Sequence, residues 1–128
     1  MESDQVSKQG YRELVVWQKA KKLAKEIHGL TNRHLLANDR VLKDQMWRAA
    51  VSICSNIAEG DERDTDKEAI RFFYIAKGSA AELSAQLEIG ADIGTIEASD
   101  AGKFIEACDE IARMLRALIS ARSKKKTN

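Results

Sequence analysis

Residues 69–90 read AIRFFYIAKGSAAELSAQLEIG, and the spacing inside this stretch decides the fold. Ala69, Phe73, Ala76, Ala80, Leu83, Leu87 and Gly90 recur at alternating steps of four and three residues. At about 3.6 residues per turn, those steps keep one stripe on one side of a helix. Small and large side chains alternate along it, which lets a neighbouring helix approach at a crossing angle of about 20°. Thr65 followed by Glu68 fits a capping box opening this helix, and Gly94 closes it.

The same rhythm continues outward in both directions. Upstream, a helix is predicted from Val41 to Glu59, with Met46, Ala50, Ile53 and Ile57 on one stripe. Val51, Cys54 and Ala58 form a second stripe beside it, and Gly60 suits the position just past the helix end. Further upstream, Val16, Ala20, Leu23, Ile27 and Leu30 give another helix over 12–29. Residues 31–39 read as a polar connection, with Asn38 or Asp39 as the next N-cap. Downstream, Phe104, Cys108, Ile111, Leu115 and Leu118 repeat the pattern in a helix opened by Ser99 or Asp100. Four helices with short connections predict an all-α, up-down-up-down antiparallel four-helix bundle over residues 11–121. Residues 1–10 read as a flexible leader and 122–128 as a basic flexible tail.

Composition narrows the rest. A chain of 128 residues is one domain of ordinary size. With 44% hydrophobic and 32% charged residues it is too apolar for disorder and too charged for a membrane span. Proline is absent and aromatics are only 5%, which disfavours a β-sandwich or barrel. A net charge of +1 excludes binding to nucleic acid by bulk charge alone. Two cysteines, Cys54 and Cys108, on helical stripes and no secretory leader predict a cytoplasmic protein with reduced thiols.

Catalytic and metal chemistry find little to work with. His28 and His34 straddle a helix end, neither cysteine has a partner at metal-site spacing, and no Glu-x-x-His pair occurs. Cys54 and Cys108 have no histidine nearby in sequence, and Ser52 and Ser55 lack a nucleophile-elbow context. The reading is therefore not an enzyme, with no metal and no cofactor.

Three surfaces remain as candidates. Arg48, Ser52, Ser55, Asn56 and Glu59 share one helix face; antiparallel pairing is expected to bring Arg48 close to Glu82 or Ser79, with Gly78, Ser79, Glu82 and Gln86 as the matching polar edge. We read Arg48, Ser52, Asn56, Glu59, Ser79 and Glu82 as a polar network that fixes helix register, a ligand site being the alternative. Lys19 and Lys22, with Arg113 and Arg116, read first as an ordinary solvated surface balanced by acids; as candidate nucleic-acid contacts they form a local patch that a ring of copies would multiply. Trp17, Trp47, Phe72 and Tyr74 lie off the main stripes and read as a subunit interface, a broader core being the alternative.

Some of these residues also carry a family resemblance. Tyr11-Arg12-Glu13-Leu14-Val15-Val16-Trp17-Gln18-Lys19-Ala20 resembles the opening of the 23S ribosomal RNA intervening-sequence proteins. Ala49-Ala50-Val51-Ser52-Ile53 with Ser55-Asn56-Ile57-Ala58-Glu59-Gly60 is similar to the family's second-helix signature. Ile75-Ala76-Lys77-Gly78-Ser79-Ala80-Ala81-Glu82-Leu83, followed by Gln86-Leu87, resembles the third-helix signature. Where the family has Ser-Ile-Pro-Ser, this chain has Ser52-Ile53-Cys54-Ser55, which leaves the second helix unkinked. Trp47 stands where Arg is frequent, and 31–39 lacks the usual proline.

The resemblance implies a homopentameric ring of four-helix bundles. A related set of bundle proteins serves retroelements by binding nucleic acid and a reverse transcriptase. The function so implied is a non-enzymatic homo-oligomer, a pentamer, that contacts RNA or a nucleoprotein complex. The alternative is a protein–protein interaction scaffold that binds no nucleic acid.

Overall fold

The computed structural model of the chain describes residues 10–127. A 3-10 turn, Gly10–Glu13, leads into α1 (Val15–Thr31). A single helical turn, α2 (His34–Ala37), then precedes α3 (Arg40–Asp61), α4 (Asp66–Asp92) and α5 (Ala98–Thr127). The four long helices pack antiparallel in an up-down-up-down bundle, and no strand occurs among the described residues. Around the bundle the order is α1, α3, α4, α5, and the closing contact between α5 and α1 is much narrower than the other three.

The apolar stripes meet as their spacing dictates. Phe73, Leu83 and Leu87 of α4, Met46, Ile53 and Ile57 of α3, Leu23 and Ile27 of α1, and Ile111 and Leu115 of α5 are all fully buried. Each such side chain contributes about 1.5–3 kcal/mol relative to exposure, so this shared interior decides the fold. α3 runs without interruption through Ser52-Ile53-Cys54-Ser55, since every residue there keeps its backbone N–H. Asp39 caps it, accepting from Leu42 N at 3.1 Å, and Thr65 caps α4, accepting from Glu68 N at 3.2 Å. Gly94, at φ +85°, turns the chain out of α4. Thr95 N then donates to Gly90 O at 2.9 Å, and Ile96 folds back into the core beside Gly90.

Three local expectations need correction. Residues 31–39 are not wholly polar linker: α2 turns within them and puts Leu36 in the core at 1% exposure. Gly60 does not sit past a helix end, because α3 continues through it to Asp61. Its missing side chain instead admits the Phe73 ring against the backbone, where a Cβ would stand 2.7 Å from Phe73 Cε1. The basic tail does not begin at 122, because α5 runs on to Thr127 and Arg122 is tied to two carboxylates. Of the leader read over 1–10, only Gly10 falls within the described residues.

Arg122 closes one end of the bundle. Its guanidinium lies 3.3 Å from Asp61 Oδ1 at the end of α3 and 3.6 Å from Asp66 Oδ1 at the start of α4, and stacks over the Phe73 ring. At the opposite end Arg33 Nη1 donates to Asp100 Oδ2 at 2.8 Å, joining the α1–α2 connection to α5.

Candidate functional site

The α3–α4 seam carries the polar line that the sequence marks out. Ser52 Oγ and Ser79 Oγ are 2.8 Å apart, and Asn56 Nδ2 donates to both Ser52 O (2.8 Å) and Ser52 Oγ (3.0 Å). Ser79 is only 8% exposed, so its hydroxyl needs the partner that Ser52 supplies. Gln86 lies further along the same flank of α4, and its Oε1 is buried without a hydrogen-bond partner among the described residues.

The charged ends of the expected network fall elsewhere. Glu59 pairs with Arg63 one turn along its own helix. Arg48 and Glu82 point outward, are exposed, and make no ion pair among the described residues. The helical phase explains this: Arg48 stands about 40° from Ser52, and Glu82 about 60° from Ser79, both turned away from the seam. What the fold assembles is a short hydroxyl–amide clasp.

The four candidate phosphate contacts separate as well. Lys19 Nζ lies 3.4 Å from Glu110 Oε2, and Lys103 Nζ lies 3.9 Å from Glu26 Oε2, so the α1–α5 seam is largely self-neutralised. Lys22 lines that same seam. Arg113 and Arg116 both project from α5, are exposed, and make no ion pair among the described residues. Arg116 lines a groove of about 370 Å³ between α4 and α5 together with Lys77. Lys67, Arg71 and Lys77 of α4 are likewise without an ion pair among the described residues, and the sequence reading passed over all three. Their spacing along one helix was the signal that could have found them.

The aromatic residues also divide. Trp17 packs against the core and meets Tyr11 edge-on at 5.0 Å, an intrachain contact. Trp47, 40% exposed, packs against His28 of α1 with ring centroids 4.9 Å apart and planes tilted by 60°. Phe72 is covered by Arg63 at 4.6 Å and flanked by Arg71 at 5.7 Å. Tyr74 is 56% exposed. Apolar exposure is greater at one end of the α3–α4 face, where Val41 (74%), Ile89 (52%) and Ile93 (60%) stand out.

Burial pushes both thiols up to about 11, Cys54 despite the opposing field of Lys21 and Cys108 despite a hydrogen bond with Ser84. They are protonated at neutral pH and poor nucleophiles. Among the described residues, no group of three or more His, Cys, Asp or Glu is placed to hold a metal ion. No helix among them is long and apolar enough to cross a membrane.

Comparison with known proteins places this geometry. Residues 12–117 match the family model described as 23S rRNA-intervening sequence protein. A crystal structure from Bacteroides thetaiotaomicron, of a protein with unknown function from the S23 ribosomal protein family, superposes with a TM-score of 0.76. The two share 26% sequence identity, over 82% of this chain and 98% of that one. A search of curated proteins gives no match.

Proposed function

Because the chain belongs to the 23S rRNA-intervening sequence protein family, we propose that it acts by binding rather than by catalysis. The reading is a non-enzymatic homo-oligomer, five copies in the state the family resemblance implies, that contacts RNA or a nucleoprotein complex. The observation that carries it is the surface left over once the core is complete. Val41 in the first turn of α3 and Ile89 and Ile93 at the end of α4 stay more than half exposed at one end of a single face. A single chain gains nothing from such side chains in water, whereas a second copy would cover them. Gln86 Oε1, buried and unbonded on the same side of α4, is an acceptor that a neighbouring chain's donor would satisfy.

Native mass spectrometry and light scattering test the assembly. The expected result is a particle five times the 14.3 kDa chain, reduced to the single chain by Ile89→Asp with Ile93→Asp. Binding of labelled RNA across a salt series tests the second half, because phosphate contacts weaken as counterions compete. A single-chain mass with no salt-dependent RNA binding would overturn the reading. That result would favour a protein scaffold using the apolar groove of about 390 Å³ formed by Val15, Val16, Met114, Ala117 and Leu118.

A further inference from the structure

Among the cations that folding leaves without an ion pair among the described residues, one set runs along a single flank of α4. Lys67, Arg71, Tyr74 and Lys77 follow one another on α4 at steps of four, three and three. At 100° per residue these side chains stay within about 120° of arc. Lys77 and Arg116 face the same groove, whose floor is built from the small residues Ala80, Ala81 and Ala112. Tyr74 stands one heptad before Ala81 on the same face of α4, and its ring is exposed. Arg113, one turn from Arg116 on α5, lines a different groove with Lys103, Glu106 and Glu110 and does not belong to this face.

Lys67, Arg71, Lys77 and Arg116 make no ion pair among the described residues, whereas Lys19 and Lys103 across the bundle are each met by a glutamate. Asp66 is engaged by Arg122, while Glu88 and Asp109 line the same groove as Lys77 and Arg116 without an ion pair among the described residues.

We propose that this α4–α5 face binds a single-stranded polynucleotide. Lys67, Arg71, Lys77 and Arg116 meet backbone phosphates, and Tyr74 stacks on a base. The proposal rests on the RNA reading above and adds both the face and the form of the strand. Unpaired cations favour any polyanion, but an exposed aromatic ring among them favours one with free π-faces. In a duplex those faces are stacked on one another. An acidic protein would use the cations and leave the ring without a specific role.

The test uses the full chain and a labelled RNA without self-complementarity, compared with a duplex of the same sequence, across a salt series. The expected result is tighter binding of the single strand. Lys77→Ala with Arg116→Ala reduces the slope of log K against log salt by about 1.4, which is two phosphate contacts. Tyr74→Ala weakens binding about tenfold with the slope unchanged, and Tyr74→Phe restores it. Lys19→Ala with Lys22→Ala leaves binding as it was. Circular dichroism confirms that each variant keeps its helices.

Two results separate the failure of this proposal from failure of the broader reading. If the unaltered chain binds RNA but only the Lys19/Lys22 variant loses it, the α4–α5 face is wrong while RNA contact stands. If the unaltered chain binds no RNA, both fall. Equal binding of duplex and single strand, with Tyr74→Ala neutral, overturns the stacking role.

Discussion

Arg122 of α5 reaches Asp61 at 3.3 Å, joining residues 61 positions apart in sequence. With Asp66 on its other nitrogen and the Phe73 ring beneath it, the guanidinium links the last helix to both sides of the α3–α4 turn. All three charged side chains are about four-fifths shielded from water, so this cluster is worth more than an open surface ion pair. Arg122→Ala is expected to cost about 1–2 kcal/mol in urea unfolding, with the slope against denaturant unchanged. Arg122→Lys recovers only part, because a point charge cannot serve both carboxylates through a planar fork.

Two glycines in the long helices should respond with opposite sign to the same substitution. At Gly60 a Cβ meets the Phe73 ring at 2.7 Å and Ala69 O at 3.1 Å, so Gly60→Ala is expected to destabilise by about 1–3 kcal/mol. At Gly78 a Cβ meets nothing within 4 Å, and Gly78→Ala is expected to stabilise by about 0.5–1 kcal/mol through helix propensity. Thermal melting of the two variants checks the contrast.

The Ser52–Ser79 clasp should show the asymmetry of buried polar pairs. Ser52→Ala removes the partner of Ser79 and one acceptor of Asn56, at a cost of about 1–2 kcal/mol. Adding Ser79→Ala to that background should cost little or even recover stability, since no unsatisfied hydroxyl is then left inside. A double-mutant cycle on unfolding free energy reads the coupling directly.

Alkaline pH should expose the buried thiol of Cys108. Its pKa rises on folding from 9.0 to about 11, so in that window the unfolded chain has released the proton and the folded chain still holds it. The unfolded state binds fewer protons, and unfolding free energy therefore falls as pH rises from about 9 to about 11. Below that window the thiol contributes no pH dependence. Comparing the chain with Cys108→Ala isolates this contribution as a shallower decline, measured by denaturant titration at each pH.

The helices were legible because steps of three and four can satisfy only one geometry, as at Ala69-Phe73-Ala76-Ala80 in α4. The turn around Leu36 was not, since four residues are too few to display a period. Antiparallel pairing of α3 with α4 suggests Arg48 as the neighbour of Ser79 or Glu82, whereas Ser79 meets Ser52, one turn along, and Arg48 and Glu82 are exposed. Charge pairing lay further out of reach. Lys19 looks as available as Lys77 along the sequence, and only the neighbouring helix decides that one meets Glu110 and the other a groove of alanines.

The narrow α1–α5 contact has a consequence for how the molecule opens. α3, α4 and α5 are consecutive in the chain and broadly packed, so they hold together with α1 removed far more readily than any arrangement that discards α4. Amide protons of α1 should therefore exchange with solvent through a partial opening, and those of α4 only through complete unfolding. The tilted contact of His28 on Trp47 breaks in that partial event, so Trp47 emission would report α1 leaving while three helices stay folded.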